Sequence, residues 1–337
     1  MKKYLAVFLS MLMLLSFTAC GQSRPASVDI FAMDTYMSLV AYGKDAQSAL
    51  EEAAYGINLL ETEISRTREG SDIDVLNKTG RWQGSADGTD ATADILTQAL
   101  QYSEQTNGLF DVTVAPLVQL WNITGDAPYV PAQEEIDALL PLVGSEHLHV
   151  KDNTARLDSG CAVDLGGIGK GYASDLVRWI LTARGIKSAT ASLGGNVYVH
   201  GCKPDGKLWN VAIQDPQGDG YALTVSLQNA FVVTSGGYQR YFTAPDGTVY
   251  QHILDPRTGY PAESDLLSVS IIADQGTRAD AYSTALYVMG EQEAVEFWRS
   301  RKDFDMVLIT ADQRVLYTSD LIITEEKNSG YVYEEIT

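Results

Sequence analysis

The sequence has 337 residues, 45% of them hydrophobic, and its 44 acidic residues outnumber 24 Lys and Arg to give a formal net charge of −20. This composition allows a sizeable hydrophobic core, but so acidic a surface repels phosphate backbones and argues against nucleic acid as a partner. A ligand that carries phosphate would therefore need local help, from a cation or from backbone N–H groups.

The N-terminus has the pattern of an export signal. Two lysines precede an apolar run, 5–17, which has the length of a signal-peptide core and is short for a bilayer span. Small residues then precede Cys20, as at the cleavage site of a bacterial lipoprotein. We therefore predict a signal peptide at 1–19, lipidation of Cys20 that anchors the exported chain to the extracytoplasmic face of the bacterial cell membrane, and a tether at 20–29. An ordinary signal peptide with an incidental Cys is the alternative, and no later segment is apolar enough to span a membrane.

Apolar periodicity predicts helices, and short alternating or apolar runs between turn residues predict strands, which dominate the second half. The predicted helices are 45–64, 92–106, 134–142, 172–183 and 279–289. The predicted strands are 197–200, 211–213, 223–227, 230–234, 240–243, 249–254, 267–272 and a terminal hairpin of 305–310 with 314–318. This mixture favours the α+β class, and since no Pro-, Gly- or Ser-rich linker divides the chain, we expect residues 30–337 to form a single domain.

Two further cysteines follow Cys20, namely Cys161 and Cys202. An exported chain can join them in a disulfide, and two buried thiols are the other interpretation. Their spacing fits no zinc site of the Cys-x-x-Cys type.

The most informative motif is the glycine-rich segment 164–173, DLGGIGKGYA, directly before a predicted helix. Bare backbone at a helix N-terminus suits a phosphate group, with Lys170 as the counter-charge, and a tight turn from strand to helix is the structural alternative. The segment is not a Walker loop, because Asp164 stands where that motif needs Gly. The pair Gly194-Gly195 predicts either a close backbone approach to a ligand or a hairpin corner.

Three other side chains are candidates for chemistry. His252, beside an Asp-Pro turn, suits a general base near neutral pH, or it is a satisfied structural residue. Asp280 and Thr284 lie one turn apart on one face of the predicted helix 279–289. A carboxylate and a hydroxyl suit a hard cation such as Mg²⁺, whereas a helix cap and an unrelated Thr are the alternative.

Five stretches, in this order, resemble the ApbE family of FAD:protein FMN transferases, and the resemblance extends from about residue 31 to 290. They are 164–173, 192–196, 234–242, 252–261 and 278–286, with 33–35 and 108–117 similar upstream. The resemblance implies a T-fold-related single domain with mixed and antiparallel sheets and flanking helices. It also implies Mg²⁺-dependent transfer of FMN from FAD to a Thr or Ser hydroxyl of an acceptor protein, with release of AMP.

The same resemblance implies roles for single residues. Contacts to FAD fall on Met33, Leu109, Phe110, Asp111, Asp164, Lys170 and Leu254. The Mg²⁺ ligands are the backbone carbonyl of Gly167 and the side chains of Asp280 and Thr284, and His252 assists catalysis. The chain departs from the family at three places. Members of the family usually have Gly at the position of Asp34, frequently an acidic residue at the position of Gly237, and near Thr67 an aromatic side chain that stacks on FAD.

The acceptors implied by the resemblance are subunits of membrane redox pumps and extracytoplasmic electron carriers. Two other functions stay open on the sequence alone. One is a Mg²⁺-dependent FAD pyrophosphatase that uses water as the acceptor and gives FMN and AMP. The other is a non-catalytic flavin-binding lipoprotein, against which the presence of Asp280, Thr284 and His252 argues.

Overall fold

The computed structural model describes residues 24–86, 88, 90–327 and 329–337, so the predicted signal peptide and Cys20 lie outside the described residues. Its α-helices are α1 Ala46–Ile64, α2 Asp72–Thr79, α3 Ala91–Gln105, α4 Ala115–Trp121, α5 Gln133–Leu139, α6 Gly169–Ala183 and α7 Gly276–Arg301. Its first nine strands are β1 Ala26–Ala32, β2 Thr35–Tyr42, β3 Arg81–Gln83, β4 Leu148–Lys151, β5 Thr154–Leu157, β6 Ser188–Leu193, β7 Asn196–Gly201, β8 Trp209–Gln214 and β9 Tyr221–Leu227. The others are β10 Ala230–Gly236, β11 Tyr241–Thr243, β12 Val249–Gln251, β13 Leu266–Ala273, β14 Asp305–Thr310, β15 Arg314–Thr318, β16 Ile323–Glu325 and β17 Val332–Ile336.

A nine-stranded sheet organises the α+β fold, in the order β1-β2-β6-β7-β10-β13-β14-β15-β17. Its neighbouring strands are antiparallel except for β15 and β17, which are parallel. Helices α1, α6 and α7 pack on one face, and the small sheet β16-β9-β8 covers part of the other. The central strand β13 is therefore buried along nearly its whole length.

Each helix that packs on the sheet buries one apolar stripe. In α1 the stripe includes Leu50, Ile57 and Leu60, which recur at helical spacing and are nearly inaccessible to water. The predicted helices 45–64, 92–106 and 172–183 are confirmed to within a few residues. The predicted helix 134–142 is α-helical only as far as Leu139 and then tightens into a 3₁₀ turn that contains Pro141.

Three expectations are corrected. The predicted tether, 20–29, overlaps β1, because the chain from Ala26 onward pairs with β2 and buries part of every second side chain. The hairpin of β14 and β15 has the predicted bounds but is not terminal, since β16 and β17 follow it. The strand predicted at 249–254 ends at Gln251, whose side-chain amide bonds the backbone of Ile253 and Ala262 and so curls the chain.

Two smaller features agree with one of the alternatives left open by the sequence. Cys161 and Cys202 are both free thiols, the first buried and the second half-buried. Gly194 and Gly195, both with positive φ, form the two-residue corner of the β6–β7 hairpin. In the part of the chain that the structure describes, no helix has the length and hydrophobicity that a membrane span requires.

Candidate active site

A cavity of about 380 Å³ lies where the start of α6, the first turns of α7 and the ends of several strands converge. Every candidate side chain from the sequence that lies within the described residues lines it. These residues are Met33, Leu109, Phe110, Asp111, Asp164, Gly167, Lys170, His252, Leu254, Asp280 and Thr284. Segments far apart in sequence thus supply one concave site, as is typical of small-molecule binding.

The two helix starts touch each other through glycine. A side chain at Gly171 would place its Cβ 2.7 Å from the Cβ of Asp280 and against the carbonyl oxygen of Gly276. A Cβ at Gly276 would in turn lie 2.6 Å from the carbonyl oxygen of Gly171. The backbone of α6 therefore packs directly on α7, and this contact brings the glycine-rich turn next to Asp280.

Asp280 is the best-placed ligand for a cation. Its side chain is only 3% exposed, and no Lys, Arg or His of the described residues forms an ion pair with it. The sequence left open a helix cap as the alternative role of Asp280, but α7 already begins at Gly276, so Asp280 does not cap its own helix. Instead, Oδ2 of Asp280 accepts a 2.7 Å hydrogen bond from the backbone N–H of Gly171. A buried carboxylate without a cationic partner is costly, and a bound cation would remove that cost.

The neighbours of Asp280 complete a set of hard oxygen donors. Thr284 Oγ1 lies 3.3 Å from the Asp280 carbonyl oxygen and 3.5 Å from Ser235 Oγ. It also lies 3.5 Å from the place that a Cβ of Gly167 would take, so the glycine-rich turn passes directly over it. Within the described residues no three His, Cys, Asp or Glu side chains form a metal cluster, so a cation here depends on hydroxyl, carbonyl and ligand oxygens.

The glycine-rich turn presents Lys170 and Asp164 to the cavity, and Arg66, from the segment after α1, pairs with Asp164. Asp164 bonds Arg66 Nε at 2.5 Å and accepts the N–H of Gly166 at 2.8 Å. Lys170, in the first turn of α6, lies 3.5 Å from the carbonyl oxygen of Gly166. Because the N–H groups of Gly166 and Gly171 are already used within the protein, these two are not free to donate to an incoming phosphate, for which Lys170 supplies a positive charge.

The β1–β2 turn forms another wall. Its two central residues, Met33 and Asp34, both have positive φ, as a type I′ hairpin turn requires. Asp tolerates that conformation better than most residues, which accounts for Asp34 where the family usually has Gly. The turn is fixed by Glu61, which accepts the N–H of Met33 at 2.8 Å, and Met33 is held in a conformation that non-Gly residues rarely adopt.

The segment 109–111 lines the cavity with backbone and apolar side chains. Leu109 and Phe110 are buried, and the side chain of Phe110 lies beside Gly167. Asp111 turns its carboxylate inward, where Oδ1 accepts hydrogen bonds from the N–H and hydroxyl of Thr113. Burial raises the pKa of Asp111, whose carboxylate is held by Thr113.

His252 has a defined tautomer in this structure. Its Nδ1 lies 3.1 Å from the carbonyl oxygen of Arg240, which can only accept, so Nδ1 carries the hydrogen and Nε2 keeps its lone pair. Burial, together with the charges of Arg240 and Lys170, lowers the pKa of His252 to about 4. The imidazole is therefore neutral at pH 7 and able to accept a proton.

Several lining residues were not singled out individually as site residues from the sequence. Arg66, Glu61 and Arg240 act through partners 28 to 206 positions away in the chain, which local spacing cannot show. Asn196 follows a glycine pair already singled out, and it is buried with no hydrogen-bond partner for Nδ2. Thr67 and Gly237 are the other two places at which the chain departs from the family pattern. Thr67 lines the cavity, whereas a side chain at Gly237 would place its Cβ 2.6 Å from the Tyr287 hydroxyl and collide with it.

Comparison with known proteins places this geometry in context. The model of the ApbE family matches residues 33–308. A Treponema pallidum protein named FAD:protein FMN transferase is 33% identical over 301 residues, which cover 82% of this chain and 81% of that protein. The crystal structure of the ApbE protein from Thermotoga maritima is similar with a TM-score of 0.78 and 30% identity, covering 90% of this chain and 97% of that one. The apo structure of a flavinyl transferase ApbE from Pseudomonas stutzeri gives a TM-score of 0.77 and 28% identity, covering 91% and 96%.

Proposed function

Because the chain belongs to the ApbE family, we propose that it transfers the FMN part of FAD to a Thr or Ser hydroxyl of an acceptor protein and releases AMP. The observation that carries this proposal is the juxtaposition of Asp280 with the glycine-rich turn. A buried carboxylate without a cation, beside a bare turn and Lys170, suits a metal-bound diphosphate better than an uncharged ligand.

The donor set fits Mg²⁺. The carboxylate of Asp280, the hydroxyl of Thr284 and the carbonyl of Gly167 would hold the ion, with phosphate oxygens and water as its other ligands. When bound, Mg²⁺ neutralises negative charge on a diphosphate. In a chain with a net charge of −20, such local neutralisation is needed before FAD can bind.

The protein's own cations would orient the diphosphate. Lys170 reaches the cavity from the first turn of α6, and Arg66 holds Asp164 so that this carboxylate does not face the phosphates unpaired. Such preorganised charge is worth several kcal/mol in the transition state of phosphoryl transfer. The apolar wall of Met33, Leu109, Phe110 and Leu254 would hold the aromatic parts of FAD.

His252 would act as the general base. The acceptor hydroxyl oxygen forms a bond to the FMN phosphorus, its proton passes to Nε2 of His252, and the bond from phosphorus to the AMP oxygen breaks. Nε2 is the unprotonated nitrogen of the ring, because Nδ1 donates to Arg240. A nearby diphosphate would raise the pKa of His252 from its low value and make it a stronger base.

The sequence pattern at the N-terminus supports a proposal for where this happens. An exported chain anchored through a lipid on Cys20 would meet acceptors on the extracytoplasmic side of the membrane. Redox-pump subunits and extracytoplasmic electron carriers are therefore the proposed acceptors. Labelling with a radioactive fatty acid, lost on substitution of Cys20 by Ser, tests the anchor.

The function is tested by co-expression with candidate acceptors, followed by mass spectrometry for FMN on Thr or Ser and by in-gel flavin fluorescence. We expect Asp280→Asn to abolish labelling while the protein stays folded. Asp274→Asn, at an exposed carboxylate just before α7, is the matched control and should keep full activity. AMP released from FAD and Mg²⁺ without any acceptor labelling would instead favour the pyrophosphatase.

A further inference from the structure

Three turns form one side of the cavity mouth, and we call them the turn rim: residues 33–34, 194–195 and 239–240. They contact one another directly. A Cβ at Gly194 would overlap the side chain of Thr35, and Arg240 Nη2 donates to the carbonyl oxygen of Asp34 at 3.3 Å. Five of the six rim residues also line the cavity, so any group that reaches His252 from this side must pass over the rim.

Exposed aromatic side chains flank the turn rim. Phe31 and Tyr36 form a cross-strand pair on the outer face of the β1–β2 hairpin and are 72% and 61% exposed. Tyr241, which follows Arg240, is 55% exposed. Large apolar side chains left in water at a cavity mouth are typical of a binding surface.

The size of this surface limits its partner. Phe31 and Tyr36, which face each other across the hairpin, together present roughly 300 Å² of apolar area, within the range of the largest patch that a monomeric protein usually shows. A specific interface between two folded proteins buries about 800 Å² on each side. The patch therefore fits a short extended segment better than a broad folded surface.

We infer that the turn rim, with Phe31, Tyr36 and Tyr241, docks the segment of the acceptor protein that carries the reactive hydroxyl, through apolar residues on either side of that hydroxyl. This inference rests on the proposed function. The rim lies beside His252, whose ring and backbone are both tied to Arg240, so a segment lying on the rim brings its hydroxyl to the base. The rim carries two exposed charges of opposite sign, the guanidinium of Arg240 and the carboxylate of Asp34, so the apolar side chains rather than net charge would select the segment.

Two synthetic nine-residue peptides test the inference. Both have a central Thr; one has Leu and Val flanks and the other has Ser and Asn flanks. We expect FMN transfer to the apolar peptide, measured by mass spectrometry with FAD and Mg²⁺, to have a kcat/KM at least tenfold higher. In the double variant Phe31→Ser with Tyr36→Ser, we expect that advantage to fall about tenfold while the Kd for FAD changes less than twofold.

A matched control is available on another face. Tyr55 is 70% exposed on α1 and does not line the cavity, so Tyr55→Ser should leave transfer to both peptides unchanged. Equal transfer to the two peptides, no transfer to either, or an unaltered double variant would overturn the inference. A dimeric wild-type protein that becomes monomeric in the double variant would also overturn the inference, because a second copy of the chain would then cover the rim.

The two levels of the argument fail separately. If co-expressed acceptor proteins receive FMN but the double variant prefers the apolar peptide as strongly as the wild-type protein does, the docking surface is wrong and the proposed transferase function is unaffected. If FMN reaches no protein or peptide at all, the proposed function itself fails.

Discussion

Replacing His252 by Asn should change how the stability of the protein depends on pH. Asn can keep the hydrogen bond to the Arg240 carbonyl, because its side-chain amide reaches the position of Nδ1, but it does not titrate. Burial lowers the pKa of His252 from its ordinary value of 6.5 to about 4 in the folded protein. The unfolded chain therefore binds a proton at this position before the folded protein does.

The sign and size of the effect follow from that difference. Above pH 6.5 the imidazole is neutral in both states and contributes no pH dependence. Between pH 6.5 and about pH 4 the unfolded state binds more protons, so the free energy of unfolding falls by about 1.4 kcal/mol per pH unit, or about 3 kcal/mol in all. Below pH 4 both states are protonated and the loss is complete.

Urea unfolding at pH 7.5 and pH 5.0 measures this contribution. We expect the wild-type protein to lose about 2 kcal/mol more than His252→Asn between the two pH values, the share of the effect that lies above pH 5.0. Burial also lowers the pKa of His200, but His200 is present in both proteins, so its contribution to the pH dependence of stability cancels in the comparison. An identical loss in both proteins, or a His252 resonance that titrates near pH 6.5 in NMR spectra, would refute a half-buried imidazole with a lowered pKa.

Three further predictions concern the contacts around the glycine-rich turn. Asp280→Asn should leave the metal-free protein at least as stable as wild type, because the substitution removes an unpaired buried charge. The variant should nevertheless lose the thermal stabilisation that Mg²⁺ and FAD give the wild-type protein, about 2.7 kcal/mol at ligand concentrations a hundred times Kd. An unchanged stabilisation by the ligands would contradict the metal site. Gly171→Ala should lower the free energy of unfolding, measured in urea, by about 3 kcal/mol, because the new Cβ would clash with Asp280 and Gly276. An unfolding midpoint equal to that of the wild-type protein would show that the two helix starts can move apart at little cost. Arg66→Ala should weaken FAD binding about tenfold in fluorescence titrations by leaving Asp164 unpaired beside the phosphates; unaltered affinity would assign this ion pair to the fold alone.

The parts of the fold that the sequence predicted are those decided by local periodicity. Helix α1 has an apolar stripe that only one face of a helix can bury, and the hairpin of β14 and β15 has the expected bounds. Strands β1 and β2 were not predicted, although apolar Ala26, Val28 and Ile30 alternate with Ser27 and Asp29 in β1, because the first part of β1 was assigned to the tether. The parallel pairing of β17 with β15 depends on packing between distant segments, which no short window contains.

The candidate site divides in the same way. Residues within one motif, such as Asp164 with Lys170 or Asp280 with Thr284, could be proposed together because a short spacing places them on one turn or one helix face. Arg66 could not, since its partner Asp164 lies 98 positions away and no pattern around Arg66 distinguishes it from other surface arginines. Asp280 also differs from the alternative of a helix cap, because its hydrogen bond runs to a different helix from its own.

This last contact explains why Asp280, the proposed metal ligand, and the glycine-rich turn cannot be varied independently. Gly171 and Gly276 allow α6 and α7 to touch backbone to backbone, and Asp280 fastens the junction by accepting the N–H of Gly171. One carboxylate oxygen thus positions the glycine-rich turn while the other stays available to a cation. A larger residue at either glycine would separate the helices and move Lys170 away from Asp280. On the proposed function, this junction is what would bring the cations and the proposed metal ligands of an acidic protein together around a diphosphate.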